Sequence, residues 1–188
     1  MLIVFDLDGT LVDSRRALLQ AHDAAFATVG RVRPADEVIL ELVGLPLLQT
    51  MGKLAPDLDA QLLATAYSAA YLSAAAQHER LFEGISELLA KPFRAAVATG
   101  KSQRGAERAM KQHGLARRFE VVLGVDSVAR PKPHPDLLHA IMDITGTKEL
   151  VMVGDTTYDL EMAHKAGAHG IGVTWGHHTK AQLQGWAP

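Results

Sequence analysis

Two acidic residues near the start of the chain have the types and spacing needed for metal or acid–base chemistry. Asp6 and Asp8 belong to the motif Asp6-Leu7-Asp8-Gly9-Thr10, which directly follows an apolar run at residues 2–5. In extended backbone, residues two apart point to the same side, so the two carboxylates would lie close together at a strand end. Adjacent carboxylates repel unless a cation or a proton intervenes. The pair therefore indicates a divalent metal or a shared proton, or else a turn in which both aspartates accept backbone hydrogen bonds.

A second acidic pair, Asp155 and Asp159, follows the apolar run at residues 149–153. This pair could simply begin a helix, with Asp155 or Thr156 as the cap and Asp159 near the positive end of the helix dipole. Open α/β sheets, however, bind ligands beyond the carboxyl ends of their strands, where both acidic pairs would meet. Because the candidate ligands are oxygen atoms and the chain has no cysteine, they favour Mg²⁺ over Zn²⁺.

Two further segments could bind an anion at the same edge. Thr99 and Gly100 stand at the end of the run at residues 94–99, where they offer a hydroxyl group and an unobstructed backbone amide before a helix. A plain helix N-cap is the alternative. Lys132 lies between Pro131 and Pro133, and these prolines would hold the lysine on a rigid loop. A solvated surface lysine is the alternative there.

Apolar runs that alternate with segments of helical periodicity predict the elements that position these residues. The predicted strands cover residues 2–5, 94–99, 119–122, 149–153 and 170–174, and the predicted helices between them cover residues 103–113, 136–144 and 157–166. This alternation indicates βαβ units. We therefore expect an α/β fold with a Rossmann-like parallel sheet that helices cover on both faces.

The exception is a stretch of helical pattern after the first strand. Residues 15–29, 34–43 and 58–76 read as helices, and no strand pattern occurs from residue 14 to residue 79. We predict an α/β core formed by residues 1–13 and 80–188. Residues 14–79 would form a helical cap domain, which we refer to as the helical insert.

Composition narrows the class of protein. The 188 residues include 19 Lys and Arg against 21 Asp and Glu, so we expect no general affinity for nucleic acid or for an anionic membrane. No apolar stretch approaches the roughly 20 residues that span a bilayer, and no secretory signal is visible. The absence of cysteine excludes disulfides and cysteine nucleophiles. We expect a cytoplasmic protein.

Four motifs follow one another along the chain: the first around Asp6 and Asp8, the second at Thr99 and Gly100, the third at Lys132 and the fourth at Asp155 and Asp159. In this order they resemble the motifs of the haloacid dehalogenase-like hydrolase superfamily, and specifically those of its phosphoglycolate phosphatase-like enzymes with a helical cap. The resemblance covers nearly the whole chain. It implies a Mg²⁺-dependent phosphatase that hydrolyses a small phosphorylated metabolite, phosphoglycolate-like or a sugar phosphate, through an aspartyl-phosphate intermediate. A β-phosphoglucomutase-like phosphotransferase fits the same motifs. A regulatory module that stores phosphate on an aspartate is a third alternative.

The resemblance also implies a role for each acidic residue. Asp6 would be the nucleophile, and Asp8 would protonate the leaving oxygen and then deprotonate the attacking water. Asp6, Asp155 and the backbone carbonyl of Asp8 would hold the Mg²⁺ ion. Asp159 would support Asp155, the loop or the lysine of the third motif.

For the phosphoryl group, the resemblance implies that Thr99 and the amide of Gly100 bind its oxygens while Lys132 neutralises its charge. The helical insert would close over the site and supply contacts to the substrate. Candidate residues for substrate contacts are Gly44, Leu45, Arg16, His22, Lys53 and Lys101.

Other polar features are predicted to carry no chemistry. The chain has nine histidines, among them His177 and His178 in a polar turn, and we interpret them as surface residues. The basic stretch from Lys101 to Arg118 predicts a solvated helix face. The sequence ends at Pro188, soon after the last predicted strand, so we expect a less protected sheet edge and a monomer or weak homodimer.

Overall fold

The computed structural model describes residues 1–186, and a five-stranded parallel sheet lies at its centre. Ala187 and Pro188, the last two residues of the predicted core, lie outside the described residues. The strands are β1 (Leu2–Phe5), β2 (Val12–Asp13), β3 (Arg80–Leu81), β4 (Ala95–Ala98), β5 (Val122–Leu123), β6 (Leu150–Gly154) and β7 (His169–Gly172). The order across the sheet is β5-β4-β1-β6-β7, and β1 pairs in parallel with both β4 and β6.

Most helices of the described chain lie within a few residues of their predicted positions. They are α1 (Arg15–Ala27), α2 (Asp36–Leu40), α3 (Leu47–Leu54), α4 (Ala60–His78), α5 (Ile85–Leu89), α6 (Gln103–Gln112), α7 (Asp136–Thr145), α8 (Thr157–Lys165) and α9 (Lys180–Gln184). The predicted helix ranges did not include α3, α5 or α9. The helix expected over residues 34–43 is shorter because the chain leaves it in turns that end at Gly44, whose φ is 102°.

The strand β1 is apolar throughout because helices cover both of its faces. Leu2 and Val4 belong to one buried cluster with Ile141 of α7. Phe5 belongs to a second cluster, on the opposite face, with Met110 of α6. Period-two alternation sends successive side chains to opposite faces, so both faces need apolar residues. The predicted α/β fold, with its parallel core and helices inserted after the first strand, is confirmed.

The helical insert has an apolar cluster of its own, whose buried members all lie between Ala17 and Ala75. Within it, α4 packs against α1 and α3. The chain enters and leaves these helices through the antiparallel pair β2–β3, in which Val12 lies opposite Leu81. Among the described helices, none combines the length and the apolar character needed to cross a membrane.

Candidate active site

The loops after three neighbouring strands bring motif residues together at the carboxyl end of the sheet. The parallel register aligns the ends of β1, β4 and β6. Asp6, Thr99 and Asp155 follow these strands and are each at most 2% exposed. The motifs that contain Asp6, Thr99 and Asp155 therefore lie together, as the topology of parallel sheets predicted from the sequence.

Lys132 reaches this cluster from the loop before α7. Its Nζ lies 2.7 Å from Oδ1 of Asp6 and 2.5 Å from Oδ1 of Asp159, and its side chain is fully buried. Burial alone would lower the pKa of Lys132, but Asp159 and Asp6 together raise it above its ordinary value. The alternative of a solvated surface lysine is wrong, and the ammonium group is a fixed buried cation beside Asp6.

Asp6 is a buried carboxylate whose pKa is raised. Burial raises the pKa of Asp6 to about 7 against the opposing effect of Lys132, and the charges of Asp159 and Asp155 add to the rise. Its Oδ1 accepts a hydrogen bond from Lys132, whereas Oδ2 has no hydrogen-bond partner within residues 1–186. One carboxylate oxygen at the base of the site is thus available to react or to bind a cation.

Asp155 is held by three hydrogen bonds. The hydroxyl of Thr10 donates to Oδ1 at 2.8 Å, and both the backbone N–H and Nδ1 of His177 lie 2.8 Å from Oδ2. Burial would raise the pKa of Asp155, but His177 and Thr10 lower it. Burial would likewise lower the pKa of His177, and Asp155 raises it. Thr10 and His177 thereby keep Asp155 ionised in a buried position.

The interpretation of His177 and His178 as surface residues is wrong. The His177 side chain is only 2% exposed, and His178 is 4% exposed. The loop after β7 folds back over Asp155, and it approaches so closely that a Cβ on Gly176 would lie 2.3 Å from the Asp155 side chain. This glycine directly before the histidines was the sequence signal that could have indicated a close approach. His22 of α1 is also buried.

Asp159 combines the two roles that the sequence left open. Its Oδ2 accepts hydrogen bonds from the backbone N–H and the hydroxyl of Thr156, so it does stabilise the start of α8. Its Oδ1 at the same time accepts a hydrogen bond from Lys132. Asp159 therefore holds Lys132 at the start of α8. In this position the ammonium group of Lys132 also contacts Asp6.

The carboxylate of Asp8 contacts a lysine. The chain turns after β1, and Nζ of Lys101 lies 2.9 and 2.7 Å from the two oxygens of Asp8. The same Nζ donates to the hydroxyl of Tyr71, which donates to Oε1 of Glu79 at 2.5 Å. The Asp8 carboxylate thus forms an ion pair with Lys101, and the expected approach of the Asp6 and Asp8 carboxylates stays a prediction. Lys101 touches a motif aspartate, which its nearness to Thr99 in sequence did not predict.

Tyr71 and Glu79 are residues that the sequence analysis missed. Tyr71 lies on α4, and Glu79 follows the end of that helix. Burial would raise the pKa of Glu79, but His113, Lys101, Tyr71 and Arg108 lower it to about 2. A fully buried acid surrounded by cations links the helical insert to α6, and only the three-dimensional arrangement reveals it.

Asp6, Asp155 and Asp159 could together hold a metal ion. Each offers a carboxylate oxygen, and these atoms lie within 4.8 Å of one another. All three residues are buried, and Lys132 is the one lysine or arginine that contacts any of them within residues 1–186. A hard divalent cation prefers such oxygen donors and would offset the charges of Asp159 and Asp155, which add to the effect of burial on the pKa of Asp6. The residues present therefore fit Mg²⁺.

A cavity of about 560 Å³ opens above this cluster, between the sheet and the helical insert. Asp6, Asp8, Thr99, Gly100 and Lys101 line its floor. A Cβ on Gly100 would lie 2.6 Å from the carbonyl oxygen of Gly44, so the second motif and the insert are in direct contact. Of the candidates for substrate contacts in the insert, those that line the cavity are Gly44, Leu45 and His22.

Arg16 and Lys53, the other two candidates, do not line the cavity. Both are exposed, and Arg16 borders a separate depression on the outside of α1. Because α1 directs Leu18 and His22 toward the cavity, a residue two positions before Leu18 points to the other side of the helix. The basic stretch is also more than a solvated face, because Arg104 and Arg108 of α6 line the cavity.

Comparisons with known proteins agree with this arrangement. The profile of the haloacid dehalogenase-like hydrolase family matches residues 3–173. The chain is 36% identical to the protein named probable phosphatase IndB of Dickeya dadantii, over all of this chain and 86% of that protein. It is 32% identical to a phosphoglycolate phosphatase of Photobacterium profundum, over 93% of this chain and 83% of that protein.

A solved haloacid dehalogenase-like family hydrolase from Streptococcus pneumoniae has a similar structure. It is 25% identical with a TM-score of 0.89, and the match covers all of this chain and 90% of that one. The chain therefore belongs to the haloacid dehalogenase-like hydrolase family. It is an enzyme of the phosphatase class within that family, and the resemblance inferred from the motifs is confirmed.

Proposed function

We propose that this protein is a Mg²⁺-dependent phosphatase that transfers the phosphoryl group of a small phosphorylated metabolite to Asp6 and then to water. The observation that carries the proposal is the state of Asp6: it lines the cavity, Lys132 fixes one of its oxygens, and the other oxygen has no partner within residues 1–186. A nucleophile needs such a free oxygen together with a fixed orientation.

The neighbouring residues support a division of roles. Thr99 and the backbone amide of Gly100 would bind phosphoryl oxygens, and Lys132 would stabilise the negative charge that spreads over them in the transition state. Asp8 lies across the floor of the cavity and would donate a proton to the leaving oxygen before accepting one from water. Lys101, which contacts both oxygens of Asp8, would keep that carboxylate in position.

The carboxylates of Asp6 and Asp155 and the backbone carbonyl of Asp8 would hold Mg²⁺, and Asp159 would support them. When bound, the ion supplies charge neutralisation to the phosphoryl group and to the acidic residues. Thr10 and His177 hold Asp155 ionised for this role. Asp159 keeps Lys132 close to Asp6 without leaving its position at the start of α8.

Residues 14–79 would act as a cap that excludes water while the phosphorylated Asp6 exists. Several contacts support this role. Gly44 abuts Gly100, and the carbonyl oxygen of Glu41 accepts hydrogen bonds from Tyr158 and His178 of the core. A cytoplasmic location, a monomeric or weakly dimeric state, and the absence of nucleic-acid and membrane partners stay predictions.

The test is steady-state hydrolysis of p-nitrophenyl phosphate with Mg²⁺, with inorganic phosphate measured as the product. The Asp6→Asn variant should lose turnover, because an amide oxygen is a poor nucleophile. Asp143→Asn, on the exposed side of α7, is the matched control and should retain it. Turnover that persists in Asp6→Asn would refute the proposed nucleophile. In a second assay with a sugar phosphate as the substrate, an isomerised sugar phosphate without phosphate release would favour the phosphotransferase.

A further inference from the structure

The wall that the helical insert contributes to the cavity is mostly apolar and carries no charged side chain. No Asp, Glu, Lys or Arg of residues 14–79 lines the cavity. His22 does line it, but burial lowers the pKa of His22 to about 4, so the ring is neutral near pH 7. The apolar lining side chains of the insert include Leu18, Ile39, Leu42, Leu45, Leu47 and Leu72.

The cations on the opposite side of the cavity are largely paired with residues of the protein. Lys101 contacts both carboxylate oxygens of Asp8, and the guanidinium of Arg108 lies 3.6 Å from Oε1 of Glu79. Arg104 is exposed at the edge of the cavity. A carboxylate on the organic part of a substrate, such as that of phosphoglycolate, would therefore have no cationic partner when it is buried against the insert and away from Arg104.

The aliphatic hydroxyl groups on the insert wall are also engaged with the protein backbone. Thr50 donates to the carbonyl oxygen of Leu42, and Ser68 donates to that of Ala64. A sugar phosphate would bring several hydroxyls into this cavity. Of the insert side chains that line it, only His22, through Nε2, and Tyr67, through its hydroxyl, have a polar atom without a hydrogen-bond partner within residues 1–186. Burial of unpaired hydroxyls is unfavourable, so the wall disfavours a polyhydroxylated substrate.

Two aromatic side chains add to the lining of the cavity. Tyr67 and Tyr71 stack with their centroids 5.5 Å apart, and both line the cavity. The cavity, at about 560 Å³, is far larger than the two-carbon acid of phosphoglycolate requires. Aromatic rings in contact with one another gain stability beyond the burial of their area.

On the basis of the proposed function, we infer that the substrates are phosphomonoesters whose organic part is an apolar group at least as large as a six-membered ring. The phosphoryl group would lie against Asp6, Thr99 and Lys132, and the apolar group would contact the leucines and tyrosines of the insert. Phosphoglycolate and sugar phosphates would be poor substrates, although the chain resembles phosphoglycolate phosphatases.

Three esters of primary alcohols test this inference, because their leaving groups are of the same kind. We expect kcat/KM for benzyl phosphate to exceed that for phosphoglycolate and for glucose 6-phosphate by roughly 100-fold or more. The benzyl ring would be buried against apolar side chains, whereas the carboxylate of phosphoglycolate and the hydroxyls of glucose 6-phosphate would lose their bonds to water. If phosphoglycolate or glucose 6-phosphate is hydrolysed as efficiently as benzyl phosphate, the inference is overturned and the proposed function stands.

Two variants on α4 test whether the insert wall of the cavity determines the preference for an apolar ester. Leu72 lines the cavity and is 56% exposed, whereas Leu62 is 52% exposed on the same helix and does not line it. We expect Leu72→Arg to raise KM for benzyl phosphate about tenfold and to lower KM for phosphoglycolate. Leu62→Arg should change neither value, and equal effects of the two substitutions would contradict the assignment.

Binding of phosphonates separates the inference from the proposed function, because phosphonates are not hydrolysed. Calorimetry with Mg²⁺ should show tighter binding of benzylphosphonate than of phosphonoacetate, in the same direction as the kinetic preference. If no ester releases phosphate but this preference is observed, the proposed function fails and the inference about the cavity holds. Equal affinity for the two phosphonates, or tighter binding of phosphonoacetate, overturns the inference.

Discussion

The Nζ atom of Lys132 lies 2.7 Å from Oδ1 of Asp6, and both side chains are at most 3% exposed. A lysine this deeply buried stays charged only because carboxylates surround it. Asp6 is one of these carboxylates, and Asp159 is the other. The same ammonium group therefore stabilises the fold and orients the carboxylate that we propose as the nucleophile.

Replacement of this lysine should reduce both stability and activity. In Lys132→Met the side chain keeps its length but leaves two buried carboxylates without a cation, and we expect a loss of about 3–5 kcal/mol in the free energy of unfolding. Phosphate release should fall by roughly 100-fold or more. Urea denaturation and steady-state kinetics measure the two effects. Lys148→Met, at an exposed position, is the control, and wild-type stability in Lys132→Met would contradict the buried ion pair.

Mg²⁺ should stabilise the folded protein even without substrate. Asp6, Asp155 and Asp159 carry ligand atoms within 4.8 Å of one another in the folded chain, a grouping that the unfolded chain lacks. At a concentration 100 times its Kd, a ligand that binds only the folded state adds about 2.7 kcal/mol to the free energy of unfolding. Thermal unfolding with Mg²⁺ and with EDTA measures this increase in Tm.

The Asp155→Asn variant should lose most of that stabilisation by Mg²⁺, whereas the exposed Asp143→Asn should keep it. Phosphate release should also cease in EDTA and return when Mg²⁺ is added. An equal rise in Tm for Asp155→Asn and the wild-type protein would show that Mg²⁺ binds elsewhere.

The sequence predicted the parallel sheet and the meeting of the motif residues because both follow from local signals. Continuous apolar runs such as β1 occur where two helical layers cover a sheet, and acidic residues directly after such runs must lie at one edge. The stiff, proline-flanked position of Lys132 was likewise a local signal, and the lysine does reach Asp6.

The residues that the sequence did not predict act through contacts between distant parts of the chain. His177 reaches Asp155 because the loop after β7 folds back, and Tyr71 of α4 accepts a hydrogen bond from Lys101, which lies 30 residues further along the chain. Neither residue belongs to a motif with regular spacing. The direction of Arg16 also could not be predicted, since it depends on which face of α1 packs against α4.

The contact between Gly100 and Gly44 should be sensitive to a single methyl group. A Cβ on Gly100 would lie 2.6 Å from the carbonyl oxygen of Gly44, a backbone atom that cannot move aside alone. In Gly100→Ala we expect the loop before α3 to shift away from the site, with a loss of about 1–3 kcal/mol in stability. KM should rise about tenfold because the cavity loses part of its edge.

Gly52→Ala is the matched control for this substitution. Gly52 lies within α3, and a Cβ there would meet only the Ala60 side chain, at 3.9 Å. An alanine should stabilise that helix by up to about 1 kcal/mol and leave KM unchanged. If Gly100→Ala behaves like Gly52→Ala in kinetics and thermal unfolding, the contact between motif and insert has no consequence.

His22 should make the stability of the protein depend on pH below neutrality. Its Nδ1 donates to the carbonyl oxygen of Leu18 at 2.8 Å, and its ring meets Tyr67 edge-on with centroids 4.7 Å apart. Burial is the largest cause that lowers the pKa of His22, from 6.5 to about 4, and Arg33 lowers it further against the effects of Leu18 and Asp23. The folded state thus favours the neutral ring.

Between pH 6.5 and about 4 the unfolded chain binds a proton at His22 and the folded chain does not. The contribution of His22 is therefore fully present above pH 6.5 and is lost as the pH falls, by about 3 kcal/mol over the whole window. In His22→Phe this loss should disappear. Urea unfolding of both proteins at several pH values between 7 and about 4 measures it, and the difference between the two profiles isolates His22 from the carboxylates that titrate in the same range. Parallel profiles would show that the folded protein accepts a protonated His22 without cost.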